Sequence, residues 1–368
     1  MTLARLYGKK LGHGSLAVVT EGFETTLRRA GLLKGVYAVD LAASYVDGEC
    51  PTDGADARYG IFVGPLACVG QMFEQGMHEH HYVMVTPNSD QLPQSLVKQL
   101  RGYQEKHRVT FMAPSAWAAR VVEQFLTEEY CMVVPHGVSP EYMPLPDCAD
   151  EARDLYNKSR AFRAIHFSTS DRQRKGTIEL LNAWGLLTFH RPEKNSLLLC
   201  VMDYPAKAAL EEAIADGEVP HWQAIKETVR ITDRAELPPA AMCRTLCRSH
   251  VSVQPSRGEG FGMIPLQALC SGVPIVATTA TGHSEYLSVA KCPPGAILIE
   301  PGPEAPIDDL PGSRAPSVSP ERIATALERA RYAWPSLHAE AQSHADLWRT
   351  DWSWEVSLES FVKLLKEP

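Results

Sequence analysis

The sequence predicts an α/β protein built from two doubly wound parallel-sheet domains in tandem. Three observations carry that reading. Short apolar runs alternate with longer helical patterns along nearly the whole chain, a proline-rich stretch near residue 140 interrupts the alternation once, and a glycine-rich turn stands between a strand and a helix late in the second half. Alternation of this kind places helices on the faces of a parallel sheet. The 368 residues suit about two domains of ordinary size, and 45% hydrophobic residues supply two cores.

In chain order, Leu16 to Thr20 reads as a buried strand, followed by a helix through Thr25 to Ala30. Val36 to Leu41, Ile61 to Val63, Tyr82 to Thr86, Thr110 to Met112 and Cys131 to Val134 read as strands, with helices over Gln94 to Lys106 and Ala116 to Leu126. Pro135, Pro140, Pro144 and Pro146 then mark a loop. Beyond it, Ala164 to Ser168, Leu197 to Met202, Val229 to Thr232, His250 to Gln254, Pro274 to Ala277 and Ile297 to Ile299 read as strands. Thr177 to Thr188, Pro239 to Arg248 and Ile264 to Cys270 read as helices, and Pro301 to Pro320 as a surface loop. Helices over Pro320 to Ala333, Ser336 to Arg349 and Trp354 to Leu365 close the chain. The expected organisation is a first domain over 1–140, a linker over 141–160, a second domain over 161–345 and a return helix over 346–368. Ligands of such sheets bind beyond the carboxyl ends of the strands, so two facing edges make a cleft suited to a two-substrate reaction.

Composition narrows the function. A net charge of −8 disfavours nucleic acid as a general partner, because neutralising phosphates takes Lys and Arg. No apolar run is long enough to span a membrane, and the first ten residues lack a signal-peptide core, so a cytoplasmic protein without stable membrane insertion is expected. Nine scattered cysteines show no zinc spacing, and Cys243 and Cys247, four apart, read as helix packing. His78, His80 and His81 precede a strand with no carboxylate pattern to complete a metal site, so no metal is expected.

The chemistry concentrates in Val251-Ser252-Val253-Gln254-Pro255-Ser256-Arg257-Gly258-Glu259-Gly260-Phe261-Gly262-Met263-Ile264-Pro265-Leu266-Gln267-Ala268-Leu269. Gly258, Gly260 and Gly262 allow close approach of the backbone to a ligand. The helix starting near Gly262 offers N–H groups and a favourable dipole to an anion, through the amides of Phe261 to Ile264. Glu259, beside that site, can accept hydrogen bonds from sugar hydroxyls. A tight turn with a capping glutamate would give the same local pattern.

This stretch resembles the donor site of family-4-type retaining glycosyltransferases, which read P-S-x-x-E-x-F-G, then G-x-P-[IV]-[IV]-A. Pro255, Ser256, Glu259, Phe261, Gly262, Ala268, Gly272, Pro274, Ile275, Val276 and Ala277 fall in register, as do Gly282 and Glu285. Val133 to Tyr142 resembles the interdomain V-I-P-N-G-V segment, Phe167 to Gly176 the strand–loop–K-G segment, and Ser353-Trp354 the start of the closing helix. The resemblance spans about residues 80 to 360. It implies the GT-B fold and transfer of a sugar from a nucleotide diphosphate sugar, UDP-sugar first and GDP-sugar second, to an acceptor hydroxyl with retention. It implies no cofactor beyond that co-substrate. Two other readings stay open: a nucleotide-sugar-binding protein with impaired catalysis, and an isomerase or hydrolase of the same fold.

The resemblance also assigns roles. Glu259 contacts the donor sugar. Lys175 contacts the diphosphate, with Arg172 or Arg174 standing in for a family arginine whose place is held by Ser170. Gln267 replaces a glutamate that commonly holds the ribose hydroxyls, so it meets them without charge. The first domain is left for the acceptor. Gly22 and Phe23, in a loop after the first strand, and Asp90, after a later one, are its candidates. Asp90 either assists proton removal or caps the turn before Pro93. A small molecule, a glycan, a protein and a modified DNA base all remain possible acceptors.

Overall fold

The computed structural model describes residues 4–9, 14–39, 57–75, 78–126, 130–169, 173–190, 196–233, 237–288, 290, 292–307 and 312–367. The chain divides into two units, Met1–Ser139 with Asp351–Pro368, and Pro140–Thr350. Unit 1 is a parallel sheet of β1 (Ala4–Gly8), β2 (Leu33–Ala38), β3 (Tyr59–Val63), β4 (His80–Met84), β5 (Val109–Ala113) and β6 (Met132–Val133), in the spatial order β2-β1-β3-β4-β5-β6. Helices α1 (Ser15–Arg29), α2 (Val69–Gln75), α3 (Gln94–Gln104) and α4 (Ala116–Leu126) connect the strands. Tyr7, Phe62, Val83, Phe111 and Val122 are among the buried side chains of its core.

The opening elements correct the sequence reading. Leu16 to Thr20 is the first turn and a half of α1, and the first strand is Ala4–Gly8. The run Leu16-Ala17-Val18-Val19-Thr20 is short, apolar and rich in β-branched residues, and periodicity cannot separate such a run from a buried helix segment. In α1 the buried set is Ala17, Val18, Val19, Thr20, Gly22, Phe23, Thr26 and Leu27, a broad helical face.

Gly22 and Phe23 therefore lie inside a helix, and they are withdrawn as acceptor-loop residues. Phe23 is fully buried, with Trp354 and Phe361 at ring-centroid distances of 6.3 and 6.0 Å. A side-chain carbon on Gly22 would lie within 2.1 Å of the Trp354 indole. The missing side chain is what lets the indole seat.

Unit 2 begins with α5 (Pro146–Ser159), in the segment read as a linker. Pro146 stands in its first turn, where proline is well tolerated because that N–H has no helical partner. Then come β7 (Arg163–Phe167), α6 (Thr177–His190), β8 (Leu197–Val201), α7 (Tyr204–Ala215), α8 (Trp222–Ile225), β9 (Val229–Thr232), α9 (Pro239–Cys247), β10 (Val251–Gln254), α10 (Met263–Cys270), β11 (Ile275–Thr278) and β12 (Ala296–Ile299). An antiparallel pair follows, β13 (Glu304–Pro306) and β14 (Arg314–Pro316), inside the stretch read as a plain loop. Helices α11 (Pro320–Tyr332) and α12 (Trp334–Asp351) complete the unit. Cys243 and Cys247 are both buried on α9.

The parallel sheet of unit 2 runs β12-β11-β10-β7-β8-β9. Its strand order reverses between β7 and β10, and the crevice beyond the carboxyl ends at such a reversal is where doubly wound sheets receive ligands. The chain then ends in α13 (Trp354–Ser357) and α14 (Glu359–Lys366), which belong to unit 1. Ser353 caps α13 by accepting from the Val356 amide at 3.3 Å.

Candidate active site

Three chain segments meet at the carboxyl ends of β7, β10 and β11. The first is the turn 173–176 that opens α6. The second is the loop 255–262 between β10 and α10, and the third is 278–286 after β11. All belong to unit 2.

The loop 255–262 ends on Gly262, the N-cap of α10, at φ 83° and with no capping side chain. The first amides of a helix have no intrahelical partner, so Met263 and Ile264 present N–H groups at this end. Pro265 stands in the first turn, where it sacrifices no helical bond. A Cβ on Gly262 would fall 2.0 Å from His283 Cδ2, so glycine is required both by its left-handed backbone and by that ring. The Phe261 ring is buried against Tyr286, with centroids 5.5 Å apart. Its part in the loop is therefore packing by the side chain and presentation by the backbone.

The turn before α6 is locked onto this loop. Gly176 has φ 66°, and a Cβ there would lie 2.3 Å from the Pro255 carbonyl oxygen. The Arg257 amide donates to the Arg174 carbonyl at 2.7 Å, and Arg174 Nη1 donates to the Gly258 carbonyl at 2.7 Å. Lys175 Nζ donates to Glu259 Oε1 at 2.6 Å, and Arg174 Nη1 stands 3.4 Å from Glu259 Oε2. One carboxylate thus faces two cations, all three side chains nearly buried. Burial pushes the Glu259 carboxyl upward, but Lys175, then Arg174 and His283, outweigh it and hold the group at about 2.

The third segment fixes the carboxylate's backbone. Glu259 N–H donates to Thr281 Oγ1 at 2.9 Å, and Gly282 N–H donates to the Glu259 carbonyl at 2.7 Å. Thr281 itself has φ 53°, a conformation that residues with side chains seldom adopt. His283 Nδ1 lies 3.1 Å from the Thr278 carbonyl and must donate to it, so the neutral ring leaves Nε2 as an acceptor. Burial lowers the His283 pKa, with the Glu259 charge opposing. The Tyr286 hydroxyl donates to the Gly262 carbonyl. Beneath the turn, His166 bridges the Val253 carbonyl and Thr177 Oγ1 at 2.9 and 3.0 Å, and burial pushes it down to about 4.

A pH effect follows from Glu259. Its native pKa lies below its ordinary value of 4.5, so its stabilisation is complete above pH 4.5 and is lost as pH falls toward about 2. The full contribution is about 3 kcal/mol. Urea unfolding should find Glu259→Gln less stable than the wild type at pH 7, and the gap should narrow as pH falls from 4.5 toward 2. Buried neutral histidines destabilise both proteins in acid, and His283 and His166, whose pKa the Glu259 charge raises, contribute to the difference.

The structure joins Glu259, Lys175, Arg174, Gly258, Gly260, Phe261, Gly262, Met263 and Ile264 at one sheet edge, and Arg172 lies outside the described residues. Gln267 is in the buried body of α10, 3% exposed, and its Oε1 has no hydrogen-bond partner among the described residues. The buried Gln254 Nε2 and Ser256 Oγ share that condition. Asp90 belongs to unit 1, half-buried in the loop after β4. Sequence reasoning gave no role to Arg257, Thr281 or His283, although Arg257 stands inside the stretch it singled out and His283 between the matched Gly282 and Glu285. It also passed over the N-terminus of α1, which follows β1 at the order reversal of the first sheet, because the first strand was misplaced. Among the described residues, no group of three or more His, Cys, Asp or Glu side chains is placed to hold a metal ion. Among the same residues, no helix is long and apolar enough to cross a membrane.

Comparison with known proteins gives this edge a context. Residues 60–361 match the family described as Family 4 Glycosyltransferase in conflict systems. The lipopolysaccharide glucosyltransferase WaaG of Escherichia coli strain K12 is 23% identical over 268 residues, covering 68% of this chain and 67% of that protein. Sucrose-phosphate synthase of Thermosynechococcus elongatus has a similar solved structure, with TM-score 0.67 and 14% identity over 99% of this chain and 98% of that one. Anabaena HepE in complex with UDP and glucose gives TM-score 0.64 and 13% identity over 99% of both chains. A structure of WaaG gives 0.61 and 15% over the whole of both. The fold is GT-B.

Proposed function

The chain belongs to the family-4 glycosyltransferases of conflict systems, and from that premise we propose that unit 2 binds a nucleotide diphosphate sugar, a UDP-sugar before a GDP-sugar, and that the sugar passes to an acceptor hydroxyl with retention. The observation that carries the donor assignment is the Lys175–Glu259–Arg174 cluster beside the uncapped N-terminus of α10, at the reversal of a doubly wound sheet. The amides of Met263 and Ile264 with Lys175 stabilise charge developing on the departing diphosphate. Two cations at this edge supply positive charge that a metal ion provides in other transferases, so the reaction is proposed to need none. Glu259, held ionised, accepts hydrogen bonds from the sugar hydroxyls. UDP is favoured because HepE has been solved with UDP and glucose. Retention rests on the family resemblance. Acceptor binding is assigned to unit 1, with Asp90 as its candidate residue. All cysteines among the described residues are free, which suits a reducing cytoplasm.

The alternative of binding without turnover rests on Gln267, which lacks the charge of the usual glutamate, and on Ser170 in the place of the family's arginine. One experiment separates the readings. Thermal melting of the wild type is followed with UDP, GDP, ADP and their sugars, and nucleotide diphosphate release is then measured with the best of them. The proposal predicts that a UDP-sugar raises the melting temperature, by about 2.7 kcal/mol of linkage at a hundredfold excess over Kd, and is slowly hydrolysed. A shift with no release supports the binding-only reading. No shift with any nucleotide refutes both.

A further inference from the structure

Arg257 stands in the middle of the loop 255–262, two residues before Glu259, and is 6% exposed. Its side chain turns away from the Lys175–Glu259 pair toward the antiparallel pair β13–β14. Nε donates to the Pro316 carbonyl at 3.1 Å, and Nη2 donates to the carbonyls of Ala305 and Pro306 at 3.2 and 3.0 Å. Its backbone N–H donates to the Arg174 carbonyl at 2.7 Å. One residue therefore touches both strands of the pair through its guanidinium and the turn before α6 through its backbone. The pair closes at its base, where Gly302 N–H donates to the Ser317 carbonyl at 2.7 Å and Ser317 N–H to the Pro303 carbonyl at 2.9 Å. It is a two-stranded ribbon outside the main sheet, and such a ribbon is marginal on its own.

We infer that the ribbon β13–β14 is a brace for the donor loop and that Arg257 is the positioning residue that couples the two. The inference rests on the donor-site reading of unit 2. A planar guanidinium can donate to three carbonyls in fixed directions, which a lysine ammonium cannot reproduce. With the fork in place, the backbone from Arg257 to Gly258 is held between the ribbon on one side and Arg174 on the other. Glu259 and the glycines that follow inherit that position. Without the fork, the loop keeps its bonds to Arg174 and Thr281 and loses its outer support.

The test uses five forms: wild type, Arg257→Ala, Arg257→Lys, a chain in which residues 304–316 are replaced by two glycines, and that replacement combined with Arg257→Ala. The combination of Arg257→Ala with the replacement completes a double-mutant cycle. Hydrogen exchange of the amides of Gly258 to Gly262 is measured without ligand, and UDP-glucose affinity by calorimetry. Both Arg257→Ala and the ribbon replacement are expected to speed exchange of those amides and to weaken UDP-glucose by about tenfold, each to the same level, with the combination no worse than either. Arg257→Lys is expected to behave like alanine in both readouts. Multiplying losses in the combined variant, rescue by lysine, or wild-type exchange and affinity in the ribbon replacement would overturn the inference. If Arg257→Ala or the ribbon replacement does not fold, Arg257→Lys decides alone, because it keeps the charge and removes only the three-carbonyl fork. If the wild type binds no UDP-glucose, the donor reading fails, while the exchange data still decide the brace.

Discussion

Lys175→Ala is expected to lower sugar transfer by about 10²–10³-fold, the loss seen when one preorganised donor to a developing charge is removed. The reason lies in its place. Lys175 is 12% exposed at its side chain, is fixed at 2.6 Å by Glu259, and follows a turn that Gly176 packs directly against the Pro255 carbonyl. A cation so confined meets a diphosphate without first having to be ordered, and its field is little screened by water. The effect should fall on kcat more than on KM, because charge on the diphosphate grows as the bond to the sugar breaks. Release of UDP from a UDP-sugar, in single turnover, measures it before any acceptor is known. Lys175→Arg should recover part of the rate. It keeps the charge and misplaces it.

Glu259→Ala is the second large effect, and it acts on stability as well as binding. Removing the carboxylate takes from two nearly buried cations the ion pairs that Glu259 gives them, and breaking a buried pair from one side costs about 3–5 kcal/mol. Arg174 keeps its bond to the Gly258 carbonyl, so the turn and loop stay joined. Lys175 can then meet a diphosphate without competition from that carboxylate, so affinity for UDP is expected to hold or rise. The affinity that the sugar adds is expected to vanish, because its hydroxyls lose their charged acceptor. Urea unfolding reads the first effect, and calorimetry with UDP and UDP-glucose reads the second.

These residues show which parts of the molecule the sequence makes legible. One part of the donor edge is local in the chain: strand, glycines, carboxylate and helix follow one another over 251–270, a pattern that a plain tight turn shares, and the place of Lys175 beside it, 84 residues from Glu259, was legible only through the family resemblance. Most buried strands were legible because a short apolar run is bounded on both sides by turn residues, which a run inside a helix lacks. The start of the chain was not. Ala4–Gly8 carries Arg5 and is no more apolar than its surroundings, while the β-branched Val18-Val19-Thr20 that drew the strand assignment is buried on a helix, with Thr20 set against Gly8 and donating to the Val63 carbonyl. The role of Arg257 was also hidden. Its carbonyl partners stand 48, 49 and 59 residues away, and a backbone acceptor leaves no mark on residue identity. Proline at the first turn of α5 misled for a third reason, because the same residue that breaks a helix interior starts a helix well.

The most direct test of the central claim is calorimetric titration of UDP and UDP-glucose into wild type, Lys175→Ala and Glu259→Ala. Wild type is expected to bind both, Lys175→Ala to bind both more weakly, and Glu259→Ala to keep UDP but bind UDP-glucose no better than UDP. Unchanged affinities in both variants, with the wild type binding, would place the donor elsewhere and contradict the assignment of this edge.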